Sequence, residues 1–114
     1  MAFQATPREI GDVTLIDVSG RITLGEGSAM LREMLRDLLG KGQKKIVLNL
    51  GDVSYIDSSG IGELVSGYTP VKNQGGELKL LNLTKKVHDL IQITKLYTVF
   101  DVHSDEVTVV RSFH

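Results

Sequence analysis

The segment that most constrains this chain is residues 44–50, KKIVLNL, a near-continuous apolar run that leads through Val53, Tyr55 and Ile56 into Asp57-Ser58-Ser59-Gly60. A run with no polar alternation suits a strand covered on both faces, the environment of a parallel sheet with helices packed on it. Beyond the serines, Ile61, Leu64, Val65, Tyr68 and Val71 fall on one stripe at helical spacing. The chain therefore turns from buried strand to amphipathic helix at the two serines.

The rest of the chain alternates in the same way. Residues 13–19 (VTLIDVS) read as a strand preceded by the turn signal Gly11-Asp12. Residues 3–10 can pair with it as a hairpin, and Pro7 places that strand at an edge. Gly20 is expected to close the second strand and open the loop ITLGEGS. Residues 28–39 predict a helix, with Met30, Leu31, Met34, Leu35, Leu38 and Leu39 on one face and Arg32, Glu33, Arg36 and Asp37 on the other. Gly40 is expected as its left-handed cap.

Pro70 interrupts the helix after the serines. An interior proline loses a hydrogen bond and crowds the carbonyl four residues back, at ~3 kcal/mol, so a kink near Ser66 or an early end is expected. Gly75-Gly76 turns the chain into a strand at residues 77–81, and Thr84 caps a third helix carrying Val87, Leu90 and Ile91. Residues 99–102 predict a short final strand. Ser104-Asp105-Glu106 then opens either a short terminal helix or an extended tail, because Val107-Thr108-Val109-Val110 is β-branched. The order β-β-α-β-α-β-α-β, with room for a last helix, predicts an α/β fold with a mostly parallel or mixed sheet.

Size and charge narrow the function. The 114 residues suit one domain over 1–114, able to bury roughly 65% of the surface of its unfolded chain. Lys plus Arg number 13 against 14 acids, which lacks the basic footprint of a nucleic-acid binder. The clusters Lys41, Lys44, Lys45 and Lys85, Lys86 read as solvated faces. The absence of cysteine removes disulfides, thiolate metal sites and cysteine nucleophiles together. The start, MAFQATPREIGDV, lacks a cationic stretch followed by an apolar run, so no signal peptide is read there. No window approaches the ~18 apolar residues of a membrane span. A cytoplasmic protein, docked on a membrane only through a partner if at all, is expected.

Catalytic patterns are missing. A nucleophile elbow needs a glycine two residues before its serine, and neither Ser58 nor Ser59 has one. His88, His103 and His114 are scattered and read as surface residues. They fit no triad or metal spacing. Gly25-Glu26-Gly27 and Gly60-Ile61-Gly62 lack the third glycine of a dinucleotide loop. Asp57 and Glu63 could pair as acid and base, but no motif places a second carboxylate. No catalytic residue, metal or cofactor is expected. Helix capping explains an acid at Asp57 and a tight entry at Gly60, but it does not call for two hydroxyls followed by G-I-G.

Residues 45–50 (KIVLNL) followed by 53–62 (VSYIDSSGIG) closely resemble the signature of STAS domains, specifically the bacterial anti-sigma factor antagonists. Val18-Ser19-Gly20 and Gly75-Gly76-Glu77-Leu78 add to the match, which spans nearly the whole chain. The resemblance implies a STAS-like α/β domain, a mixed sheet of four or five strands with helices packed on one side. It also implies a partner, a GHKL-type serine kinase that doubles as an anti-sigma factor. The unphosphorylated antagonist would capture it and free the sigma factor. That kinase would phosphorylate Ser58, and a PP2C-type phosphatase would reverse it. Asp57 and Ser59 flank the target, and Gly60 and Gly62 would keep the surface flat for close approach. The loop 24–28, with Thr23, Gly25 and Glu26, is expected near Ser58 on the same partner-binding face. Here the sequence departs from many relatives: Gly20-Arg21-Ile22-Thr23 stands where they carry an acid. A STAS scaffold subunit without phosphorylation, or a nucleotide-binding protein, are the alternative readings. A monomer is expected.

Overall fold

A computed structural model of the protein describes residues 3–113. His114, read above as a surface histidine, lies outside the described residues. The chain runs β1 (Gln4–Ile10), β2 (Val13–Ile22), α1 (Glu26–Gly40), β3 (Lys45–Ile56), α2 (Ser58–Asn73), β4 (Glu77–Leu81), α3 (Lys85–Ile93), a 3-10 turn (Leu96–Thr98), β5 (Val102–His103) and α4 (Glu106–Arg111). The strands form one mixed sheet in the order β1-β2-β3-β4-β5. β1 is antiparallel to β2 and all other neighbours are parallel. Pro7 sits on the edge strand β1, opposite Ile16, the kind of strand to which proline is confined in sheets.

The sheet has two apolar faces. On one, Ile16, Val18, Ile46, Leu48, Leu50, Leu78 and Leu80 pack against buried side chains of α1, α2 and α3. Leu31, Leu35 and Leu38 of α1, Leu64 and Val71 of α2, and Val87 and Ile91 of α3 supply most of that layer. On the other face, Val13, Leu15, Val47 and Leu81 meet Val109, Val110 and Phe113. Thus α1 to α3 share one side, as expected, and α4 departs from the expectation by covering part of the opposite side. The doubly buried strand read from residues 44–50 is the central β3, buried at Ile46, Val47 and Leu48 in succession.

Several local expectations are corrected. β2 does not close at Gly20 but continues to Ile22, past a register shift between Gly20 and Arg21. Gly40 remains helical, and the left-handed position is Gly42, with φ 82°. There the Gln43 amide bonds the Leu38 carbonyl at 3.0 Å and Gly42 bonds Leu39 at 3.0 Å, a Schellman closure two residues later than expected. Met30 and Val65, assigned to apolar faces, are exposed at the margins of their stripes.

α2 does not end early at Pro70, but runs on to Asn73. The carbonyl that loses its donor belongs to Ser66, which is exposed, so water can satisfy it.

The final strand is shorter than residues 99–102 and lies later. Lys95 adopts a left-handed φ of 60°, the 3-10 turn follows, and Phe100 is drawn into the core edge-on to Tyr68, ring centroids 5.4 Å apart. Only Val102 and His103 remain to pair with Leu80 and Leu81. After them the terminal segment is a helix, not a tail. Asp105 accepts from the Thr108 amide at 2.9 Å and Val109 is fully buried. Cap and burial override the β-branched propensity of the run.

Candidate functional site at the start of α2

β2 and β3 end side by side, Ile22 opposite Ile56, so the turns into α1 and α2 emerge together. Asp57 ties them. Its backbone is extended (φ −105°, ψ −174°), as an N-cap requires. One carboxylate oxygen accepts from the Gly60 amide at 2.9 Å. The other accepts from the Leu24 amide at 3.2 Å. The Asp57 amide in turn donates to the Ile22 carbonyl at 3.3 Å. The Gly60 amide, followed by that of Leu24, holds the Asp57 carboxyl below its usual range despite partial desolvation, so it is ionised at neutral pH.

Ser58 is the first residue of α2 and is exposed, whereas Ser59 is half-buried. Gly60 is buried, and its role differs from the flat docking surface expected of it. A Cβ there would stand 2.4 Å from the Ile22 carbonyl oxygen and 2.6 Å from Ile56 Cγ1. Its lack of a side chain lets the first turn of α2 press against the end of β2. Gly62, by contrast, faces open space.

The loop from β2 reaches the same place. The Thr23 carbonyl accepts from Ser28 and the Gly25 carbonyl from Ala29, both at 3.1 Å. Gly25 and Glu26 are exposed and Thr23 is half-buried. The Leu24 amide bond to Asp57 anchors the loop that carries Thr23, Gly25 and Glu26 at the start of α2. Glu63 is not an acid-base partner of Asp57. It takes both Nε and Nη2 of Arg32, each at 3.2 Å, and bridges α2 to α1.

Sequence reasoning missed two features. Leu24 is 79% exposed while its own amide is fixed by Asp57, so an apolar side chain is held outward beside Ser58. Within the loop it carries no periodic signal. The second is a cleft of about 600 Å³ between the start of α2 and α3, lined by Tyr55, Ser58, Ile61, Lys86, Asp89 and Leu90 among others. In sequence Lys86 reads only as part of a solvated cluster, yet its ammonium lies 4.7 Å from the centre of the Tyr55 ring.

Neither His88 nor His103 is among the residues lining this cleft. His103 Nε2 contacts Asp101 at 2.8 Å, and the His88 ring is 3.8 Å from Asp89. Among the described residues no group of three or more His, Asp or Glu side chains could hold a metal ion, and no helix is long and apolar enough to cross a membrane.

The STAS domain model matches residues 4–109. The anti-sigma-B factor antagonist of Bacillus subtilis strain 168 is 38% identical over 87 residues, covering 76% of this chain and 78% of that one. The anti-sigma F factor antagonist of Paenibacillus polymyxa is 27% identical over 96 residues, covering 83% and 81%. Among solved structures, SpoIIAA of Bacillus in its phosphorylated form superposes with a TM-score of 0.74 at 20% identity, covering 97% of this chain and 99% of that one. At that identity the likeness is one of fold.

Proposed function

This chain belongs to the STAS domain family, and on that premise we propose that it is an anti-sigma factor antagonist switched at Ser58. In this reading it is a regulatory binding protein, cytoplasmic and monomeric, that captures a GHKL-type serine kinase serving as an anti-sigma factor and so frees the sigma factor. The kinase transfers a phosphoryl group to the Ser58 hydroxyl, and a PP2C-type phosphatase removes it. The antagonists named above, similar over most of their length, support the first part.

The observation that carries the switch is the placement of Ser58. It is exposed, it opens a sixteen-residue helix, and it directly follows a carboxylate kept ionised by two backbone amides. A helix start accepts an anion without unfolding, so the added charge of about −1.5 to −2 acts on whatever docks there. A partner seated over Leu24 and Ser58 would have to desolvate that charge or oppose it with its own acids. Like-charge juxtaposition costs several kcal/mol across an interface, enough for a hundredfold or greater loss of affinity.

Calorimetry of Ser58→Ala and Ser58→Asp against the co-purifying kinase tests this reading. Ser58→Ala should bind like the unmodified protein and Ser58→Asp at least tenfold more weakly. Equal affinities would refute the switch. Intact mass of the native protein before and after phosphatase treatment should differ by one phosphoryl group on Ser58.

A further inference from the structure

Tyr55 lies three residues before Ser58, and two cations from separate elements rest on its ring. Arg21 Cζ of β2 is 4.9 Å from the ring centre and Lys86 Nζ of α3 is 4.7 Å from it. Among the described residues neither cation has a carboxylate partner, although acids lie nearby. Asp89 is engaged by Lys85 at 3.2 Å, and both oxygens of Asp57 are engaged by backbone amides. Lys86 and Ser58 line the same cleft. An ammonium on an aromatic face makes a weaker contact than a charge-assisted hydrogen bond, so these cations are free to exchange the ring for an anion.

We propose that the phosphoryl group on Ser58 is received by this chain itself, by the Lys86 ammonium, with the Arg21 guanidinium held behind it on Tyr55. The proposal rests on the reading of Ser58 as the phosphorylated residue and specifies what its phosphate does. The charged groups around the dianion are Asp57 beside it, Asp89 and Lys86 in the cleft, and Arg21 across Tyr55. The two acids already have donors, whereas the two cations rest on a ring with no carboxylate acceptor among the described residues, so the phosphate turns toward α3. Phosphorylation then draws α3 over the start of α2 and withdraws Lys86 from a docking partner. The modified state differs from the unmodified one by a lost cation as well as a gained anion.

The test installs phosphoserine at position 58 during translation, so that no kinase is needed, and follows its phosphorus resonance against pH. A neighbouring cation favours the doubly charged phosphate. In Lys86→Gln the midpoint of the second phosphate ionisation should therefore rise by about half a pH unit relative to the parent. Arg21→Gln should raise it by less, and Lys85→Gln, whose lysine is bound to Asp89, should leave it in place. Both lysines are exposed, so the variants keep the fold. A Lys86→Gln midpoint that coincides with the parent's overturns the proposal, as does an equal rise in Lys85→Gln. Failure of the Ser58→Asp binding test leaves this titration readable, so the two ideas fail separately.

Discussion

Two charged regions of the molecule, one at α4 and one at the start of α2, treat their ionic groups in opposite ways. Around α4, a buried lysine and an exposed arginine are both held by partners from separate elements. Lys79, 6% exposed, donates to Ser112 Oγ at 2.7 Å and to the Ser112 carbonyl at 3.2 Å, pairs with Asp101 at 3.2 Å, and lies 4.6 Å from the centre of the Phe113 ring. Nearby, Arg8 joins Asp17 of β2 to Glu106 of α4. Around Ser58, backbone amides take up the Asp57 carboxylate, two cations rest on an aromatic ring, and a leucine is exposed. One region uses polar groups to hold a helix on the sheet. The other uses them to stiffen a surface while leaving its side chains available, as an interaction site requires.

If that contrast is right, mutations should divide by region. The largest expected effect is Gly60→Val, which forces a branched side chain against the Ile22 carbonyl. It should destabilise the fold by roughly 3 kcal/mol or more, read as a lower denaturant midpoint. Unchanged stability would show that the start of α2 can lift away from β2. Next comes Lys79→Ala, which removes two hydrogen bonds made by a buried cation and should cost about 2–3 kcal/mol. Lys79→Met should recover much of that by keeping the packing. If both cost the same, packing of the stem is irrelevant to the latch. Val109→Ala should then lower stability by about 1–2 kcal/mol and speed amide exchange within α4 ahead of the remaining sheet.

A smaller effect comes from acid. The depressed Asp57 carboxyl contributes its stabilisation above its unfolded value near 3.9, and that contribution is lost as pH falls through the lower folded value. Protection from amide exchange, relative to the intrinsic rate at each pH, should fall at Gly60 and Leu24 below about pH 4 while that of β3 holds. A uniform loss of protection would mean that the cap is not an independent unit. The smallest stability change belongs to Leu24→Ser, within about 0.5 kcal/mol, although binding to the kinase should weaken roughly tenfold. A stability loss without a binding loss would reverse the assignment of that loop.

Much of the fold was legible because its signals are local. The unbroken apolar run of β3, the capping acid at Asp57, Thr84 before α3 and the Gly75-Gly76 turn each act within a few residues. The misreadings had non-local causes. Two glycines stand near the end of α1, and only the tertiary path selects Gly42 over Gly40. Pro70 is tolerated because Ser66 faces water, which spacing alone does not reveal. The β-branched run in α4 became helical because Val109 found a hydrophobic seat on Leu15 and Val47, far away in sequence. The serine site itself could be read from D-S-S-G. Leu24, Arg21 and Lys86 could not, since they come from three elements and meet only after folding.

The rims of the sheet carry a consequence of their own. One rim is β1, with Pro7, Arg8 and Glu9 facing outward. The other is β5, two residues long, too brief a template for a second chain. Strand addition by a neighbouring molecule is blocked on both sides by proline, charge and brevity. The protein should stay dispersed at high concentration, free of the fibrillar association that open edges invite.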